Sequence, residues 1–125
     1  MTNDEMVEII GKLVYHVSLL ADAVDYEKHP IESLILSKNW SEADVEKAHD
    51  IFERWDHRLE NGGTMSTGEF ESDFQRELGI SYQGLKPIIL AFYNNHQWTN
   101  VCEAYVDAFG TTPSMEFHSI MRRER

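Results

Sequence analysis

The first 24 residues carry an unbroken apolar repeat with the spacing of a long amphipathic helix. Apolar residues recur at steps of four and three, which places β-branched side chains at heptad position a and Met or Leu at d. The six residues of this repeat are Met6, Ile10, Leu13, Val17, Leu20 and Val24. The flanking e and g positions carry no acidic or basic residue other than His16, so the apolar face is wider than a two-stranded seam requires. Because its neighbours are apolar, we expect His16 to be a hydrogen-bonded interior or interface histidine rather than a ligand. We expect this face to lie in a helical bundle, within the subunit or between copies, and to form the interface of a homo-oligomer, dimer or trimer.

Length and composition indicate one globular domain. The chain has 125 residues, 42% of them hydrophobic, which is sufficient for a packed core. We assign residues 1–110 to a single helical domain and residues 111–125 to a C-terminal tail that is expected to fray. No apolar run approaches the roughly 20 residues of a membrane span, and the N-terminus lacks the features of a signal peptide. A single Cys fits a reducing compartment, so the sequence predicts a cytoplasmic protein with no membrane association.

The charge balance restricts the choice of partners. The net charge is −11, and because the last four residues carry +2, residues 1–121 hold −13. An acidic surface of this kind repels phosphate backbones, so we expect no nucleic-acid partner. A basic protein partner is compatible with this charge.

Helix start and stop signals divide the chain into segments of helical length. Ser41 with Asp44, and Ser66 with Glu69, have the spacing of capping boxes, and Gly79 suits a left-handed helix end. The first predicted helix runs from Asn3 or Asp4 to Asp25, and the second covers residues 30–38. The third opens at Ser41 and ends at the "ENGGT" segment, and the fourth opens at Ser66 and ends at Gly79. The fifth covers roughly residues 85–95 with Pro87 in its first turn, and the sixth is capped by Thr99 and stopped by Gly110. The outer face of the third helix is acidic, and its basic residues offset this charge only in part; the acids are Glu42, Glu46, Asp50, Glu53 and Glu60. The residues expected on the inner faces of the helices from the third helix onward are Val45, Ala48, Phe52, Trp55, Leu59, Phe70, Phe74, Leu78, Trp98, Cys102, Tyr105 and Phe109. The predicted fold is all-α, a compact array of five or six helices with the long N-terminal helix packing in a bundle.

Three stretches resemble a known family. The turn "VDYEKHPI", the helix start "LSKNWSEADVE" and the hairpin "AFYNNHQW" are similar to those of the YhaI-like family of Bacillus and its relatives, small helical proteins with no assigned activity. The resemblance spans roughly residues 9–109. It implies an all-α fold and self-association, and it brings no catalytic residues.

The third helix carries the strongest metal-ligand pattern. His49, Glu53 and His57 follow one another at intervals of four, so one helix face could present two imidazoles and a carboxylate to a metal ion. This pattern supports a metal-dependent enzyme. The alternative is a solvated polar face opposite the buried aromatic residues, which we favour.

The segment between the third and fourth helices suggests an ion site. From Asp56 to Glu69 it has the length of a long EF-hand-like loop with an acid at each end, which would make the protein a calcium sensor. The alternative is a Gly-rich turn followed by a capping box.

Cys102 follows a predicted helix start, where the helix dipole could activate its thiol, but its apolar neighbours favour burial. We therefore expect no enzymatic activity and no cofactor. The favoured function is that of an acidic, self-associating module acting through protein–protein contacts.

Overall fold

The structure is a computed structural model that describes residues 1–109. These residues form six α-helices and no strand. The predicted all-α class is confirmed. The predicted tail at residues 111–125 lies outside the described residues. The helices are α1 (Asn3–Ala23), α2 (Pro30–Lys38), α3 (Glu42–Glu60), α4 (Thr67–Leu78), α5 (Tyr82–Asn94) and α6 (Thr99–Asp107).

Local side-chain caps fix the starts of α3 and α4. Asp44 N–H donates to Ser41 Oγ at 3.2 Å and Ser41 N–H donates to Asp44 Oδ2 at 2.9 Å, which confirms the first capping box. At α4 the Ser66 hydroxyl oxygen accepts from the Glu69 N–H at 3.4 Å. The Glu69 carboxylate instead accepts a hydrogen bond from Arg58.

Left-handed residues end α2 and α4. Asn39 has φ of 56° and Gly79 has φ of 66°. The N–H of the residue after each of them donates a hydrogen bond to a carbonyl at or just before the last turn of the helix. Trp40 N–H donates to the carbonyl of Ile35, and Ile80 N–H donates to that of Phe74. The α2 end is a Schellman motif, whereas at α4 the Gly79 N–H donates to the carbonyl of Gln75 at 2.9 Å, which is the αL motif. Gly79 is confirmed as the cap of α4.

Two predicted helix ends were wrong. α1 ends at Ala23 rather than Asp25, because the Asp25 carboxylate accepts from the N–H of Glu27 and stabilises a turn there. α5 begins at Tyr82 rather than Leu85, because Ser81 caps it.

Pro87 in α5 and Thr99 in α6 occupy helix positions that differ from the predicted ones. Pro87 is the sixth residue of α5, beyond the first turn, and cannot donate to the carbonyl one turn earlier. At α6 the cap is Trp98, in a left-handed conformation, and Thr99 is the first helical residue.

An aromatic cluster at the meeting point of α3, α4 and α5 forms the centre of the core. The Phe52 ring lies 5.9 Å from that of Phe70, 5.6 Å from that of Phe74 and 4.8 Å from that of Phe92, centroid to centroid. Among the predicted inner residues, burial is confirmed for Ala48, Phe52, Trp55, Phe70, Phe74, Cys102 and Tyr105. The others are partly buried: Val45, Leu59, Leu78, Trp98 and Phe109.

Candidate functional site

The most unusual surface of the described chain is the first helix. α1 contains no buried residue, so packing of this helix inside its own subunit, one of the two expectations for it, is not observed. Leu13 is 56% exposed and Val17 is 50% exposed. Of the fourteen large hydrophobic side chains that are exposed in residues 1–109, ten belong to this helix. They are Met6, Val7, Ile9, Ile10, Leu13, Val14, Tyr15, Val17, Leu19 and Leu20.

The charges of α1 are segregated from its apolar face. In the heptad register that places Ile10 at a and Leu13 at d, every charged residue of the helix falls at b, c or f. These residues are Asp4, Glu5, Glu8, Lys12 and Asp22. Glu8 and Lys12 form an exposed ion pair at 3.7 Å on that outer side. The a, d, e and g positions therefore form one continuous stripe without Asp, Glu, Lys or Arg, which is the face a partner helix covers in a coiled coil.

A shallow groove runs along this stripe. It separates α1 from the C-terminal end of α2. Its lining residues are Ile10, Leu13, Val14, Val17, Ser18 and Asn39. The predicted interface residues Ile10, Leu13 and Val17 thus lie together, whereas Val24 lies just past the helix end.

His16, predicted to be an interior or interface histidine, is exposed in the single chain. The interior alternative is therefore wrong for this residue within one subunit, because α1 contains no buried residue. A place in an interface between copies stays a prediction.

The metal pattern on α3 is divided between two environments. His49 is half-buried, with its ring 5.3 Å from that of Phe92, and its Nδ1 accepts a hydrogen bond from the indole N–H of Trp98. Glu53 and His57 are exposed, 3.7 Å apart. A solvated-face interpretation therefore fits Glu53 and His57 and is wrong for His49. In residues 1–109 no three His, Cys, Asp or Glu side chains are grouped so as to hold a metal ion.

The two ends of the predicted calcium loop have protein partners. Asp56 lies within α3 and accepts a hydrogen bond from the side-chain amide of Asn100 on α6. Glu69 accepts from Arg58 at 2.8 Å. Each carboxylate thus contacts a different neighbour, and ion binding by this segment stays a prediction.

The connection between α3 and α4 is a tight turn. α3 continues to Glu60, so only residues 61–66 separate the two helices. Gly63 N–H donates to the carbonyl of Arg58 at 2.8 Å, and a Cβ at Gly63 would lie 2.7 Å from that carbonyl oxygen. Since only glycine fits this approach, the Gly-rich sequence has a structural explanation.

Two buried groups that could react are held in their neutral forms. Burial raises the pKa of the Cys102 thiol, whose Sγ lies 3.7 Å from the carbonyl oxygen of Ile89. Burial and a 2.5 Å hydrogen bond to Glu71 raise the pKa of the Tyr105 hydroxyl. A thiol in this state is a poor nucleophile, which fits the predicted buried role of Cys102.

A family comparison covers the entire set of helices. Residues 3–107, from the first residue of α1 to the last of α6, match the family described as "Protein of unknown function (DUF1878)". The chain belongs to this family. No curated protein matches the chain, and no solved structure matches it.

α1 is part of the DUF1878 domain, because the family match begins at its first residue. In the described residues, no helix of this DUF1878 protein is both long enough and apolar enough to cross a bilayer.

The outer face of α3 is acidic, as predicted. Its exposed acids are Glu42, Glu46, Asp50, Glu53 and Glu60. The arginines of α3 turn toward α4, where Arg54 pairs with Glu77 and Arg58 with Glu69. These two cations offset the acidic face less than their positions in the sequence imply.

Proposed function

We propose that this DUF1878 protein is a non-enzymatic, self-associating module that acts through protein–protein contacts. In this proposal α1 packs lengthwise against α1 of a second copy. The observation that supports it is the apolar stripe of α1, which its own described chain leaves uncovered. The resemblance to YhaI-like proteins, which implies self-association, supports the same conclusion.

The stability of α1 itself favours a partner. Most helical stability in proteins comes from packing of an amphipathic face rather than from intrinsic propensity, and α1 has no buried residue in the described chain. At 1.5 Å per residue, the 21 residues of α1 extend about 31 Å. That length gives three heptads of contact to a helix of equal length.

A second copy is the partner that the charge pattern fits best. Partner choice in coiled coils is set mainly by charges at e and g, and α1 has no Asp, Glu, Lys or Arg there. Nothing on the stripe therefore repels an identical helix. A self-complementary face also satisfies the twofold symmetry of the commonest homo-oligomers. The groove beside Asn39 brings Ile10, Leu13 and Val17 together on the side of α1 that a second helix would cover.

The remaining parts of the proposal concern location and partners. We place the protein in the cytoplasm, as expected from its single Cys. The acidic outer face of α3 is exposed and contributes no residue to the apolar stripe of α1, so self-association through α1 would leave its acids able to attract a basic protein.

Light scattering coupled to size exclusion tests the proposal. The wild-type chain is expected to have the mass of a dimer or trimer at micromolar concentration. Leu13→Glu combined with Val17→Glu introduces two charges into the apolar stripe and is expected to give a folded monomer. The three Trp residues all lie outside α1, so their fluorescence reports whether the core remains intact.

A matched variant separates loss of the interface from loss of helix hydrophobicity. Tyr15→Glu with Leu19→Glu changes two exposed apolar residues at positions f and c of the same helix. This control is expected to keep the wild-type mass. A monomeric wild-type chain, or equal dissociation by both double variants, would overturn the proposal.

A further inference from the structure

A cleft between α3 and α4 draws together all three arginines of residues 1–109. Its volume is about 500 Å³, within the range of small-molecule sites. The cleft is open to solvent, with Trp55 in its wall. Its lining residues are Arg54, Trp55, Arg58, Gly68, Glu69, Ser72, Asp73 and Arg76. These three guanidinium groups lie together with Glu69 and Asp73 in a chain whose net charge is −11.

The inner part of the cleft is a fixed charge network. Asp73 accepts from Trp55 Nε1 at 2.8 Å and from Arg76 at 2.7 Å. Arg54 donates to both carboxylate oxygens of Glu77, and these bonds raise the pKa of Arg54. Asp73 and Glu77 are each mostly buried, at 18% and 25% side-chain exposure. The two carboxylates are therefore held in place between the helices, each by at least two hydrogen bonds, while the Arg54 and Arg76 side chains are 51% and 65% exposed. What distinguishes Arg58 is that its carboxylate partner, Glu69, is itself exposed.

The ion pair between Arg58 and Glu69, in the outer part of the cleft, is easily broken. The Arg58 side chain is 45% exposed and that of Glu69 is 62% exposed, and exposed ion pairs of this kind contribute little stability. Arg58 donates to Glu69 from Nη1 only, whereas a guanidinium presents five donors. Its carbon Cζ lies 4.5 Å from the centre of the Trp55 ring, which holds the guanidinium in position.

Gly68 keeps the cleft open. It lies in the first turn of α4 without a positive φ, and a Cβ there would meet no atom within 4 Å. Glycine in a helix costs roughly 1 kcal/mol relative to alanine. Neither backbone conformation nor crowding requires glycine at position 68. The absence of a side chain leaves space in the cleft that a larger residue would fill.

We propose that this cleft binds a small organic monocarboxylate, whose carboxylate replaces that of Glu69 on Arg58. A planar carboxylate matches the fork of donors that Arg58 presents, and the exchange keeps the charge at the guanidinium balanced. A doubly charged anion is disfavoured because Asp73 remains in the cleft wall and the whole chain is acidic. The proposal is independent of self-association through α1.

The Trp55 indole N–H gives a direct readout by ¹⁵N NMR. Sodium benzoate and acetate are the probes, with sulfate and phosphate added at equal ionic strength for comparison. The carboxylates are expected to shift the Trp55 signal saturably, with Kd on the order of 1–10 mM for such small ligands. The indole signals of Trp40 and Trp98, which do not line the cleft, are expected to stay in place. Absence of saturation, or equal shifts with sulfate and phosphate, would overturn the proposal.

Three variants test the exchange itself. Arg58→Gln is expected to abolish the saturable shift. Glu69→Gln removes the competing carboxylate and is expected to tighten Kd by about two- to fivefold, the range expected for loss of an exposed ion pair. Glu60→Gln removes the same charge outside the cleft and is expected to leave Kd unchanged. Equal tightening by Glu69→Gln and Glu60→Gln would show a general charge effect and overturn the exchange.

Gly68→Gln separates binding from folding. Glutamine favours helix more than glycine, so the variant is expected to keep or raise the melting temperature. Its side chain would occupy the cleft and abolish the Trp55 shift. A folded Gly68→Gln protein with unchanged Kd would overturn the assignment of the site.

Discussion

The indole N–H of Trp98 donates to Nδ1 of His49 at 3.0 Å and so links the start of α6 to the middle of α3. Because Nδ1 is the acceptor, the ring proton of a neutral His49 lies on Nε2. Trp98 is also the left-handed cap of α6, with φ of 54°. The hydrogen bond thus stabilises a helix start that lacks a side-chain cap.

Removal of this acceptor is expected to destabilise the fold. His49→Leu leaves the half-buried Trp98 N–H without its partner, at a cost of about 1–3 kcal/mol in the free energy of unfolding. Urea denaturation measures this cost. His57→Leu, an exposed position on the same helix, is the matched control and is expected to change stability by less than about 0.5 kcal/mol. Equal effects of the two substitutions would show that the hydrogen bond contributes no stability.

Because of the capping box of α3, the stability of the fold is expected to depend on pH in the acidic range. The backbone hydrogen bond from Ser41 lowers the pKa of Asp44 below its ordinary value of 3.8. A carboxylate with a lowered pKa contributes stability above its unfolded pKa and loses it as the pH falls through the folded value.

Asp44→Ala is therefore expected to be less stable than wild type at neutral pH, with the difference shrinking below about pH 4 as the wild-type carboxylate is protonated. Thermal melts at a series of pH values check this expectation. Glu42→Ala, at an exposed first-turn acid outside the box, is the control. A difference between wild type and Asp44→Ala that stays constant down to pH 2 would contradict the assignment.

Local sequence signals predicted the helix ends that depend on a few adjacent residues. Ser41 and Asp44 satisfy each other three residues apart, and Gly79 ends α4 alone, so no distant contact is needed to identify them. The start of α5 was missed because the helix continues through Pro87. There, tertiary burial of neighbours such as Ile88 and Ile89 overrides the loss of one backbone bond.

The candidate sites depended on contacts between helices, which helical periodicity does not reveal. The pattern of His49, Glu53 and His57 was read on α3 alone, whereas Trp98 from α6 takes one imidazole out of the set. The cleft was missed for the same reason. Arg54, Arg58 and Arg76 are spread over two helices, and only the close approach of α3 and α4 brings them together.

The calcium-sensor hypothesis predicts a direct effect on melting. Asp56 and Glu69 each have a protein partner, so we expect melts with millimolar calcium and with chelator to coincide. A ligand that binds only the folded state would stabilise it by RT ln(1 + [L]/Kd). A rise in melting temperature with calcium that is lost in Glu69→Gln would instead establish the sensor.

The acidic face of α3 is expected to attract basic ligands by long-range charge. Because Arg54 and Arg58 pair with acids of α4, they offset the exposed acids Glu46, Asp50 and Glu53 only in part. A lysine-rich peptide is a suitable probe, and fluorescence anisotropy at increasing salt measures its binding. Exposed charges act mainly on association rate and are screened over roughly 10 Å at 0.1 M salt, so affinity is expected to fall steeply as salt rises.

Reversing Glu46, Asp50 and Glu53 to Lys is expected to abolish binding while fold and oligomeric mass stay unchanged. The control reverses three exposed acids on the outer side of α1, at Glu5, Glu8 and Asp22, which changes net charge by the same amount. If both triple variants weaken binding equally, net charge alone is responsible and the α3 face is only a solubility surface.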